Sequence, residues 1–494
     1  MHGRCVDHGG CRTMTVRASA LAMAVALHLA LVACSPDESP PVSVDAGVDI
    51  PMEPDGYTLD AESILSPEAC AECHPRHYEE WAGSMHAYAA EDPVFIAMNQ
   101  RGQRETNGAL GDFCVGCHAP MAVRLGLTTD GLNLQELPKH VQGVTCYFCH
   151  AVESVEGTHN AQLTLSDDLV MLGGYDDPVP NTAHASAYSK LHDRNRLESA
   201  GLCGSCHDIV TPPPHEVHIE KTYQEWQESL FAHPVPGEQQ TCGSCHMGGS
   251  DNTAADAPGV KLRIVHDHKM PGVDLAITDW PGKEIQREEV QDELDSTLFA
   301  RVCVSEDEGV NVLQVRLENM GAGHSFPSGA TLDRRVWVEL EARDASGAVV
   351  YASGNVDEGT PVTVHELDDP DLWRLGSTAY KENGEHAHMF WDITSMTSEL
   401  LPAPTAFSPL DPEYTDVHRR RDYEYVGAAP EEVSMAVHVR PVGLDFLQDL
   451  VDSGDLDPVH LDAIETLTLK STQVTWKAEF GTNCHPPDHD PQGI

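Results

Sequence analysis

Beyond about Arg287, apolar and polar positions alternate with the two-residue period of half-buried strands. Val312 to Leu317, Arg335 to Leu340, Val349 to Ala352, Val433 to Val439 and Val474 to Phe480 follow this rhythm, and turns such as Asp344-Ala345-Ser346-Gly347 separate some of them. Short strands without helical repeats between them predict an antiparallel, β-sandwich-like domain over 295–486. One amphipathic helix is expected between Gly443 and Leu469. Upstream, 61–290 reads as a mostly α-helical, loop-rich domain, which makes the chain an α+β multidomain protein.

A different pattern opens the chain. Met14 to Ala33 reads as a signal peptide too short for a transmembrane helix, with Arg17 as its positive start and Ala18 to Ala33 an apolar run broken only by Ser19 and His28. It ends in Leu31-Val32-Ala33-Cys34, which resembles a bacterial lipobox and makes Cys34 the candidate lipidation site. Ser35 in place of Asp implies the outer membrane, facing the periplasm or the cell surface. Residues 1–33 are thus expected to be a start-site extension plus signal peptide, and 34–60, rich in Pro and Asp, a flexible tether.

Composition changes the picture in two ways. Only 40% of the 494 residues are hydrophobic and 6% aromatic, which is lean for the size and suggests that something besides side chains fills the interior. The 79 acidic against 30 basic residues give a net charge of -49, which repels phosphate backbones and excludes nucleic acid as a partner.

Five segments share one motif: Cys70-Ala71-Glu72-Cys73-His74, Cys114-Val115-Gly116-Cys117-His118, Cys146-Tyr147-Phe148-Cys149-His150, Cys203-Gly204-Ser205-Cys206-His207 and Cys242-Gly243-Ser244-Cys245-His246. Two thiols three positions apart can bond both vinyl groups of a haem, while the adjacent histidine turns under the iron. Zinc knuckles and dithiol redox sites also use cysteine pairs, but neither explains a histidine after every pair. The motifs therefore predict five covalently bound haem c groups, with His74, His118, His150, His207 and His246 as proximal ligands. Of 15 cysteines, the motifs, Cys34 and the leading Cys5 and Cys11 leave only Cys303 and Cys484. These two either pair as a disulfide or stay as free buried thiols, and export favours the pair.

Cys70 to His74 followed by Tyr78, Trp81, Ser84, His86 and Ala87, the second motif, Gly143-Val144 before the third motif, and the fourth motif resemble the cytochrome c-552/4 family. That family includes the tetrahaem electron acceptor of hydroxylamine oxidoreductase. The likeness spans roughly residues 64 to 210. It implies that His86 ligates the third haem and that His159 returns to the first. In the tetrahaem relative the second haem has no distal side chain; here His140 is a candidate to close that site. The fifth motif is additional, and His184, His268 and His324, the last in a Gly/Pro-rich loop, are further distal candidates. The implied function is electron transfer between redox partner proteins. The alternative is a reductase acting on small nitrogen or sulfur compounds at one open iron, although no motif carries lysine in place of its histidine. A haem-bearing binding module is a third reading.

Overall fold

The computed structural model describes residues 63–233, 239–406 and 418–486. The expected signal peptide, Cys34 and the expected tether lie outside the described residues. No helix among those described is long and apolar enough to cross a membrane.

The amino-terminal part is built on short helices. Three follow the first motif: α1 (Pro75–Ala82), α2 (Met85–Tyr88) and α3 (Pro93–Glu105). Proline at the first position starts α1 and α3, where a missing N–H costs nothing. Ser84 caps α2 and Asp92 caps α3, each accepting a backbone N–H. This part is also threaded with four two-stranded ribbons: β1 (Val152–Val155) with β2 (Leu163–Leu165), β3 (Val170–Gly173) with β4 (Ala185–Tyr188), β5 (Ile209–Val210) with β6 (His218–Glu220), and β7 (Gly249–Thr253) with β8 (Leu262–His266). The expected mostly helical character is therefore diluted. A motif fixes only a turn or so of helix, too little to propagate without a packed apolar face, and the connecting chain pairs as ribbon instead.

Two more helices, α4 (Thr222–Glu228) and α5 (Lys283–Thr297), lead into nine strands: β9 (Leu298–Asp307), β10 (Val310–Asn319), β11 (Arg335–Arg343), β12 (Val349–Ser353), β13 (Trp373–Tyr380), β14 (Ser395–Glu399), β15 (His418–Tyr425), β16 (Glu432–Arg440) and β17 (Leu467–Lys477). They form two antiparallel sheets, ordered β15-β10-β9 and β14-β13-β11-β16-β17, with β12 also on β11. Inward residues of both sheets share one core, including Leu313, Val315 and Leu317 of β10 and Val336, Val338 and Leu340 of β11. Helix α6 (Leu444–Asp452) falls inside the interval expected for it.

The sheets are stitched to the amino-terminal part rather than strung beside it. Ala97 of α3 packs with Leu444, Phe446, Leu447 and Leu450 of α6, and Ile219 of β6 packs with Leu332 and Ala379. A disulfide joins Cys303 of β9 to Cys484. This stitching matters to the site, because residues just before β11 reach its wall.

Candidate haem-binding cavity

All five motifs open into one continuous cavity of about 2200 Å³, at least twice the roughly 300–1,000 Å³ of a pocket for one small ligand. The motif thiols show how the five adjoin. Cys70 lies beside Cys146, Cys117 beside Cys206 and Cys203 beside Cys242, and Cys149 lies near Cys203 and Cys206. The first motif thus neighbours the third, the third the fourth, and the fourth both the second and the fifth.

Four of the five motif histidines have Nδ1 tied to a backbone carbonyl: His74 to Ala254 at 2.7 Å, His118 to Ala89 at 3.0 Å, His150 to Leu172 at 2.6 Å and His246 to Pro271 at 2.8 Å. Donating Nδ1–H to a carbonyl fixes the tautomer and ring orientation and leaves Nε2 bare as a ligand atom. Burial pushes the pKa of His118, His150 and His207 down, so these rings are neutral at pH 7, as metal ligation requires.

Four motif histidines face a second imidazole. Ring centroids lie 6.3 Å apart for His74 and His184, 6.2 Å for His150 and His268, 6.2 Å for His207 and His86, and 6.4 Å for His246 and His324. Two imidazoles bound to one metal at the usual length of about 2 Å hold their centroids about 6 Å apart. The spacing therefore fits an iron between the rings. Burial holds the pKa of His86 and His324 down at about 4 and lowers those of His184 and His268. His324 gives Nδ1 to the Ser325 carbonyl at 2.9 Å, turning its Nε2 edge free.

His118 differs. Phe95 of α3 stacks on it at 4.1 Å with the rings only 4° from parallel, and no histidine among the described residues forms a stacked pair with it. His140, the candidate for that position, sits on a short turn, Lys139–Val141, and does not border the cavity. His159 does not border it either; Gln162 holds its Nε2 at 3.1 Å on the exposed side. The structure thus sets His184, not His159, across from the first motif, and His86 across from the fourth, not the third. His192, stacked on His150 at 5.6 Å, spends Nε2 on the Cys149 carbonyl at 2.8 Å. Phe95 and the buried charged residues of the wall had no local signal in the sequence.

Repeated thiol pairs, neutral buried imidazoles and one large shared cavity define a multihaem c-type cytochrome. A family model described as cytochrome c554 and c-prime matches residues 69–151. The crystal structure of a penta-haem cytochrome c552 from Thermochromatium tepidum is similar in fold, with a TM-score of 0.56 and 22% identity over 82% of this chain and 98% of that chain. No curated protein matches the chain.

Proposed function

We propose that the chain is a pentahaem electron-transfer cytochrome. Thioethers at Cys70 and Cys73, Cys114 and Cys117, Cys146 and Cys149, Cys203 and Cys206, and Cys242 and Cys245 would hold five haem c groups. When bound, these supply irons that shuttle between ferric and ferrous. His184, His268, His86 and His324 would be the distal ligands of the first, third, fourth and fifth. The four facing pairs at 6.2–6.4 Å carry the reading, because a six-coordinate bis-histidine iron passes electrons without opening a site for another ligand. The adjoining motifs support a continuous path between donor and acceptor proteins. The domain limits 61–290 and 295–486, export, lipidation at Cys34 and outer-membrane attachment rest on the sequence pattern alone.

One observation favours a second reading at one place. The second motif, with Phe95 against His118 and no facing histidine among the described residues, suits an open iron of the kind a reductase of small nitrogen or sulfur compounds needs.

Intact mass and electron paramagnetic resonance of the matured, oxidised protein test both. Five haem additions, four low-spin irons and one high-spin iron that alone responds to cyanide or nitric oxide are expected. Two or more ligand-binding irons would overturn the pairing, and turnover of nitrite or hydroxylamine at the second iron would overturn the pure carrier reading.

A further inference from the structure

On the cavity wall near His207, two arginines meet four carboxylates. Arg334 grips Asp274 with both ends of its guanidinium, at 2.9 and 3.0 Å. Arg335 grips Asp445 with Nε and one terminal nitrogen, at 3.0 and 2.6 Å. Their other hydrogen bonds among the described residues go to backbone: Arg334 to the Ser328 and Pro441 carbonyls, Arg335 to those of Leu332 and Arg334. Both cations are committed. Glu220 on β6 and Asp333 just ahead of β11 are left without a cation of their own.

Asp333 is buried and Glu220 half-buried, both border the cavity, and Asp333 Oδ1 has no hydrogen-bond partner among the described residues. Apart from the two arginines, the charged neighbours that bear on them make matters worse. Glu220 faces Asp274, Asp208 and Glu225, and Asp333 faces Asp445 and Glu220. The Cys117 thiol also lies near Glu220. A buried carboxylate lacking an ion pair is costly and keeps its proton instead. Burial accordingly pushes Glu220 up to about 7 and Asp333 up to about 8.

We infer that Glu220 and Asp333 form a proton-loading site coupled to electron uptake at the fourth and second motifs. Arg334 bears on both Glu220 and Asp333 and in turn on His207, and Glu220 bears on Cys117, so a charge change at either carboxyl is felt toward the fourth and second motifs across a low dielectric. With the haems in place, a one-electron donor that reduced a neighbouring iron would raise the proton affinity of these carboxyls, and one of the two carboxylates would take a proton from solvent and become the acid. On reoxidation the electron leaves and the proton returns to solvent. Glu220 answers near neutrality and Asp333 at higher pH. The inference rests on the electron-transfer reading.

Spectroelectrochemical titration of the holoprotein at a series of pH values tests it. At least one midpoint potential is expected to fall as pH rises through neutrality, by up to about 59 mV per unit, the one-electron equivalent of a tenfold change. Glu220→Gln removes the slope near neutrality, Asp333→Asn removes it at higher pH, and the double variant is flat across both. A pH-independent wild type overturns the proposal. So does a slope that survives in the double variant, which would assign the proton to the haem carboxylates. Proton uptake per electron, read with an indicator dye in unbuffered wild-type protein, decides the matter even where a variant fails to mature. Reduction without proton uptake sinks the proton site alone, whereas irons that exchange no electrons with any donor sink the electron-transfer reading itself.

Discussion

Among single residues, Gly143 shows how closely the chain must approach itself to present a ligand. Its φ is +72°, and a Cβ there would lie 2.7 Å from the Ala87 carbonyl oxygen and 2.8 Å from that of His86. Val144 N–H donates to the His86 carbonyl at 2.8 Å, and Trp81 Nε1 donates to the Val144 carbonyl at 2.7 Å, closing the contact. Gly143→Ala should therefore cost about 1–2 kcal/mol from the left-handed backbone alone, with the clash added. It should also shift His86 away from His207. A lower melting temperature together with loss of one low-spin signal is the expected readout. The five motifs were legible in the sequence because attachment demands a fixed local spacing. The facing histidines were not, because each lies far along the chain from its partner and is chosen by folding. A family likeness supplied His86 but paired it with the wrong motif, and it supplied His159, whose ring ends outside the cavity.

At the level of elements, the loop bearing His324 is held by α4. Glu225 Oε2 accepts from Ser325 N–H at 3.2 Å and from Ser328 Oγ at 2.7 Å, and Thr222 Oγ1 pairs with Ser328 Oγ at 2.8 Å. Asn319 at the end of β10 holds the His324 carbonyl at 2.8 Å. A helix of the amino-terminal part thus aims a side chain of the carboxy-terminal part at His246. Glu225→Ala leaves the half-buried Ser325 N–H unsatisfied, at up to about 1–3 kcal/mol, and should turn the fifth iron high-spin in a fraction of molecules. Glu225→Gln, which keeps an acceptor oxygen, should largely restore the low-spin spectrum. The strands divide by whether packing writes itself in hydrophobicity. β10, β11 and β16 alternate and were legible. β13 buries Ser377 and Ala379 at inward positions, so its alternation is one of burial rather than polarity. β15, His-Arg-Arg-Arg-Asp-Tyr-Glu-Tyr, is an edge strand with only Tyr423 buried, and charge on an edge discourages further pairing.

For the whole molecule, the excess of acidic residues sets the terms of encounter. A charge of -49 draws cationic donors and acceptors and repels anionic ones, and salt weakens both effects. Reduction by a small cationic mediator should therefore slow by several-fold or more as ionic strength rises, whereas reduction by an anionic mediator of similar potential should speed up. Equal salt dependence for the two in stopped-flow measurements would locate electron entry away from the acidic surface. The lean hydrophobic composition already hinted at an interior filled by something other than side chains, and the cavity of about 2200 Å³ gives that hint a volume.

The facing histidines have a further consequence as topology. His74 with His184, His86 with His207, His150 with His268 and His246 with His324 close loops that overlap one after another along the sequence, so that each begins before an earlier one has ended. With iron held between each pair, the chain from His74 to His324 would become a series of overlapping closed loops. A cut anywhere between His74 and His324 would fall inside at least one such loop, whose histidine pair would still tie the two ends together, and the molecule would hold as a knitted fabric does when a single thread is broken.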